Sequence, residues 1–97
     1  MAGYVISPAG RQDLIDIWTE IARDNLDAAK RLLDRFEAAF RRLAEFPRMG
    51  GARPDLIDLP VRFWTLGNYL IIYRAEKSPL EIVRVLNAYR NVGAVLK

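Results

Sequence analysis

The stretch Val61-Arg62-Phe63-Trp64-Thr65-Leu66-Gly67-Asn68-Tyr69-Leu70-Ile71-Ile72-Tyr73-Arg74 restricts the possible folds more than any other part of the chain. Residues 61–66 and 69–74 are rich in the β-branched and aromatic side chains that suit a pleated strand, and only Gly67-Asn68 separates them. A two-residue connection joins strands only as a tight hairpin, so the runs must pair antiparallel. Leu80-Glu81-Ile82-Val83-Arg84-Val85-Leu86 comes after the turn at Glu76-Lys77-Ser78-Pro79 and alternates well enough to add a third strand. Such a sheet needs a cover for its apolar face.

The first half supplies one. Tyr4-Val5-Ile6 is a short β-prone run, and Ser7-Pro8 reads as a helix N-cap followed by Pro at the first helical position, where its missing N–H costs nothing. Leu14, Ile17, Trp18 and Ile21 recur at helical spacing, and the helix they define ends near Asp24. Asn25 can cap a second helix in which Ala29, Leu32, Leu33, Phe36, Phe40 and Leu43 form the apolar stripe until Pro47 stops it. So short a connection predicts an antiparallel helical hairpin. Residues 47–60, with Gly50-Gly51, Pro54 and scattered charges, read as loop. The expected fold is α+β: a short N-terminal strand, then a helical hairpin on one face of a small antiparallel sheet, in the order β-α-α-β-β-β.

Ninety-seven residues are too few for two hydrophobic cores, so residues 1–97 are expected to form a single domain. The chain has no Cys and no His. Thiolate and imidazole catalysis and the metal sites built from those ligands are excluded, leaving Arg, Lys, Tyr and carboxylates for any chemistry. No cofactor or metal is expected. Residues 1–13 lack a basic stretch followed by an apolar run. The longest strongly apolar segment, residues 69–73, falls far short of the roughly 20 residues of a membrane helix, so a cytoplasmic protein is expected. Positive charge gathers in the second half: residues 1–46 hold seven Lys/Arg and eight Asp/Glu, residues 47–97 eight and four. Twelve of the fifteen cations are Arg, a residue suited to forked contacts with anions and to protein interfaces. The same charge also serves a solvated basic face.

Taken together, Tyr4, Ile6-Ser7-Pro8-Ala9, Asp13-Leu14, Ile17, Ala28-Ala29, Leu43-Ala44, Pro47 and Gly50 in the helical half resemble toxins of the ParE type, within the ParE/RelE superfamily. Val61-Arg62, Tyr69-Leu70-Ile71-Ile72-Tyr73, Ile82-Val83-Arg84-Val85-Leu86 and Tyr89-Arg90 resemble the same family in the β half. The resemblance implies the toxin of a bacterial type II toxin–antitoxin system, neutralised by a small ParD-like antitoxin and poisoning DNA gyrase by binding, without direct contact to nucleic acid or membrane. RelE-like members cleave mRNA on the ribosome, which makes a ribonuclease the alternative; a non-toxic module that still binds an antitoxin is another. Asn87 and Asn91 stand where ParE-type toxins often carry His and Asp.

The candidate residues for target or antitoxin binding are Arg62, Trp64, Arg84, Tyr89 and Arg90. For a ribonuclease, Arg62, Arg84 and Tyr89 are the catalytic candidates. A base is hard to find, because the segment before the hairpin offers Arg48 and Arg53 but no Lys, and Arg keeps its proton too firmly to shuttle it. Arg62 has a second reading as an ion-pair partner of Asp58 or Glu81. A buried Arg84 would need a carboxylate, such as an antitoxin could bring. If Phe63 faces the helices, Trp64 is an exposed aromatic on the opposite side, where the mixture of Arg and aromatics would form a contact surface. Asp13, Asp16 and Glu20 read as a solvated helix face.

Overall fold

A computed structural model describes residues 3–52 and 59–87. The elements are β1 (Tyr4–Ile6), α1 (Pro8–Asp24), α2 (Leu26–Glu45), β2 (Arg62–Leu66), β3 (Tyr69–Arg74) and β4 (Leu80–Asn87), in the order expected from the sequence. Ser7 opens α1 by accepting a hydrogen bond from Gly10 N at 2.9 Å, with Pro8 in the first turn. Asn25 ends α1 by donating its N–H to the Ile21 carbonyl and starts α2 by accepting from Ala28 N through its side chain at 3.0 Å. One residue thus terminates one helix and caps the next, and the two fold back against each other. Among the described residues no helix is long and apolar enough to cross a membrane.

The strands lie in the order β1-β4-β3-β2. The hairpin pairs Arg62 with Tyr73 and Trp64 with Ile71, and at its turn only Gly67 has a positive φ, 58°, as a II′ turn requires. β1 runs parallel to β4, placing Tyr4 beside Leu80 and Ile6 beside Ile82. The sheet is therefore mixed, where the sequence predicts a wholly antiparallel one. A three-residue strand carries no local signal of its partner's direction. That direction is set by the long path through both helices and the hairpin before the chain returns as β4.

The larger core lies between helices and sheet. Phe36, Phe40 and Leu43 of α2 meet Ile71, Tyr73, Ile82 and Val85, with Leu14 and Ile17 of α1 packed at its margin. Tyr4 meets the ring of Phe40 edge-on, at a centroid separation of 5.5 Å. Val61, Phe63, Ile72 and Leu86 form a second buried cluster, with Leu70 and Val83 against it.

This division corrects the assignment of faces. Trp64 pairs with Ile71 and packs half-buried on the helix-side core, while Phe63 pairs with Ile72 and belongs to the second cluster. The alternation runs one step opposite to the expected one, because Ile71 and Tyr73, rather than Ile72, meet the helices. The second face is itself buried, Ile72 fully and Phe63 to 7% exposure, and does not present Arg62, Trp64 and Arg84 to solvent.

Candidate functional site

An irregularity in the β3–β4 ladder sets the position of Arg84. Ile72 is opposite Arg84 and Tyr73 is opposite Ile82, so Val83 has no partner across the ladder. Such a bulge interrupts side-chain alternation and re-aims the residues beyond it. Arg84 turns toward α1, where its Nε and Nη2 donate to the two carboxylate oxygens of Asp13 at 2.7 and 2.8 Å. The same carboxylate accepts from Val85 N at 3.0 Å. Side-chain exposures of 12% for Asp13 and 21% for Arg84 leave the forked pair largely shielded from water. The hydrogen bonds to Asp13 outweigh partial burial and raise the Arg84 pKa still further, so its guanidinium is a fixed cation and no proton shuttle.

The carbonyls beside the bulge hold the start of α1. Ser7 N donates to the Ile82 carbonyl at 2.9 Å, and Ser7 Oγ donates to the Val83 carbonyl at 2.6 Å while accepting from Gly10 N. Gly10 is buried where a Cβ would stand 3.1 and 3.2 Å from the Val83 and Ile82 carbonyl oxygens. Ser7, Gly10 and Asp13 therefore fasten one face of the first helical turns to β4. Asp13 departs from the solvated-face reading, whereas Asp16 and Glu20 remain exposed.

Arg62 lies at the other end of the helix-side face, under the segment that comes after α2. Its Nη1 donates to the Gly50 carbonyl at 2.7 Å. Beside it Tyr73 Oη accepts from Gly50 N at 2.9 Å and donates to the Pro47 carbonyl at 2.6 Å. Burial raises the Tyr73 pKa despite the opposing effects of the Gly50 N–H and the Arg62 charge. Gly50 is required here, since a Cβ would fall 2.6 Å from both Tyr73 Oη and the Phe63 carbonyl oxygen. Glu81, one expected partner of Arg62, instead lies 3.7 Å from Lys77 Nζ and 3.8 Å from Arg74 Nε. Asp58, the other, is outside the described residues, as are Arg53, Tyr89 and Arg90.

Two open cavities flank these anchors. A cleft of about 650 Å³ brings Arg62 together with Arg48, Phe46 and Met49, and Glu45 and Glu76 border it. Phe46 is 53% exposed. A groove of about 740 Å³ runs between α1 and the adjoining ends of β3 and β4 and includes Asp13 in its wall. Arg62 and Arg84 are thus separated, one held by a loop carbonyl beside the cleft and the other paired to a carboxylate of the groove. Phe46, Gly50 and Tyr73 are not among the sequence candidates. Tyr73 does carry a signal: a buried Tyr in an apolar strand needs a hydrogen-bond partner for its hydroxyl.

Comparison with known proteins agrees with this architecture. Residues 4–92 match the family model described as ParE toxin of type II toxin-antitoxin system, parDE. Toxin ParE3 of Caulobacter vibrioides is 31% identical over 85 residues, spanning 87% of this chain and 84% of that protein. A solved structure titled "Chromosomal ParDE TA system from P. aeruginosa" superposes with a TM-score of 0.74 over 90% of this chain and 96% of its own, at 18% identity, a likeness of fold. By sequence across nearly its whole length, with a fold that agrees, the chain belongs to the ParE toxin family of type II toxin–antitoxin systems.

Proposed function

We propose that this ParE-type toxin arrests growth in the cytoplasm by binding DNA gyrase, without covalent chemistry or a cofactor, and that a cognate ParD-like antitoxin neutralises it. On this reading residues 1–97 act as one toxin domain. The observation that carries the non-enzymatic reading is the commitment of Arg84 to Asp13. A ribonuclease must activate a 2′-hydroxyl and protonate a leaving oxygen. Arg84 holds its proton too tightly for either step, Arg62 is tied to the Gly50 carbonyl, and the chain contains no His. The basic second half and the exposed Phe46 beside Arg48 and Arg62 suit a surface that binds a protein, since interfaces favour aromatic and Arg side chains.

Purified protein titrated into a gyrase supercoiling reaction should inhibit at near-stoichiometric ratios. Induced cells should stop dividing while their transcripts stay intact. Unaffected supercoiling at large excess refutes gyrase as the target. Cuts in ribosome-bound mRNA would assign the ribonuclease activity instead, and harmless overexpression of soluble protein would leave only an antitoxin-binding module.

A further inference from the structure

The buried core does not draw on the start of the chain. Among the described residues every buried apolar side chain lies between Ala29 and Leu86. α1 buries only Gly10 along its 17 residues, whereas α2 buries Ala29, Phe36, Ala39, Phe40, Leu43 and Ala44. β1 and α1 reach the core cluster through Tyr4, Ile6, Leu14 and Ile17, all of them half-buried. The strongest fastenings of this segment are polar and fall within residues 7–13. Ser7 bonds the Ile82 and Val83 carbonyls, Gly10 lies close against the same two carbonyls, and Asp13 holds Arg84 and Val85 N. All of them end on four consecutive residues of β4 around the bulge. Past Asp13, Ile17 and Ile21 lie half-buried beside the open groove.

What remains without β1 and α1 has its own support. Asn25 caps α2 through its side chain on Ala28 N, so the second helix keeps its start whatever the first one does. Three paired strands packed against a helix meet the ordinary requirement for a sheet that is stable by itself.

We infer that β1 and α1 form a strap that opens from β4 as a unit about Asn25 while α2 and strands β2 to β4 stay folded, and that Ser7 and the Asp13–Arg84 fork are the latch that holds it closed. Segments with few buried apolar contacts open at lower free energy than the core they lie on. Here forked, charge-assisted hydrogen bonds supply the closure that apolar burial does not. Opening parts Asp13 from Arg84, so the guanidinium is engaged in the closed form and released in the open one. The inference is independent of what the protein binds.

The test is native-state hydrogen exchange of the full chain, read amide by amide by NMR in low urea. Amides from Leu14 to Ala22 should share one opening equilibrium, at least about tenfold more populated than that of the α2 and β3 amides, with a weaker urea dependence. Two variants then separate the strap from the core. Ile72→Val removes a methyl group from the cluster on the far face of the sheet; it should speed exchange in α2 and β3 about fivefold and leave residues 14–22 unchanged. Asp13→Asn should speed residues 14–22 about tenfold, because the latch is lost in the strap's own opening. A single opening equilibrium for α1 and α2 in the unaltered protein overturns the inference without recourse to any variant. Equal acceleration of both helices by Ile72→Val overturns it too, and so does exchange in residues 14–22 that Asp13→Asn leaves unchanged.

Discussion

Removing the Asp13 carboxylate should cost this protein about 2–3 kcal/mol of stability. Asp13 accepts two hydrogen bonds from Arg84 and one from Val85 N, and both ionic partners are mostly shielded. Hydrogen bonds to charged groups contribute about 1.5–3 kcal/mol, and breaking a fully buried pair costs about 3–5 kcal/mol. The partial exposure of Arg84 lets water recover some of that loss, hence the intermediate figure. Asp13→Asn keeps one acceptor and should lose about 1–2 kcal/mol, while Arg84→Ala should lose about 2 kcal/mol because Asp13 retains the Val85 N–H. Urea unfolding of Asp13→Ala, Arg84→Ala and the double variant forms a cycle whose coupling energy should be about 1–2 kcal/mol. In a domain of this size each kcal/mol shifts Tm by about 4–8 °C, well within reach of calorimetry. Strictly additive losses would refute the pairing. If Arg84→Ala abolished growth arrest while leaving stability untouched, Arg84 would act directly in toxicity, and the argument against ribonuclease chemistry built on its commitment to Asp13 would fall.

Tyr73→Phe removes the hydroxyl that bridges Gly50 N and the Pro47 carbonyl and should destabilise the protein by about 1–2 kcal/mol in urea titration. Because burial raises the Tyr73 pKa, its ionisation favours the unfolded chain. Stability should therefore be intact below about pH 10, the ordinary tyrosine value, and fall as pH rises past it; Tyr73→Phe should show a shallower alkaline decline, and identical slopes would contradict the assignment. Gly50→Ala should lose at least about 2 kcal/mol by thermal unfolding, since its Cβ would fall 2.6 Å from a carbonyl oxygen of β2; an unchanged Tm would show that the loop moves aside. Gly10→Ala is a sharper case: the helix-propensity gain of about 1 kcal/mol opposes the tight approach to two carbonyls beside the bulge. A net loss is expected because those carbonyls already hold Ser7, and a gain in Tm would mean that the junction yields.

The elements are legible in the sequence because each rests on local chemistry. Ser7-Pro8 and Asn25 supply their own caps, the apolar spacing of α2 fits only a helix, and Gly67-Asn68 admits only a hairpin. The direction of β1 is not legible, since Tyr4-Val5-Ile6 is too short to mark its neighbour and its partner strand begins far along the chain at Leu80. Face assignment fails for a related reason. Phe63 and Trp64 are equally plausible inward residues by sequence, and only contact between the α2 aromatics and Ile71 and Tyr73 decides between them.

Within the candidate site, one irregularity decides where the charges go. A regular β4 would alternate Ile82 inward, Val83 outward and Arg84 inward, then turn Val85 outward. The omission of Val83 from the ladder restores Val85 to the helix-side core and leaves Arg84 facing Asp13. The carboxylate that a buried Arg84 needs is thereby supplied from within the chain, and an antitoxin is not required to provide it. The remainder of the acidic side of α1 stays exposed. Asp13 is spent internally, whereas Asp16, Glu20 and Asp24 continue along the groove toward Asn25. The same helix thus anchors the sheet with its first carboxylate and presents the next three outward. Among the described residues no Lys or Arg lines that groove, whereas the cleft around Arg48 and Arg62 is bordered by Glu45 and Glu76 and carries both signs.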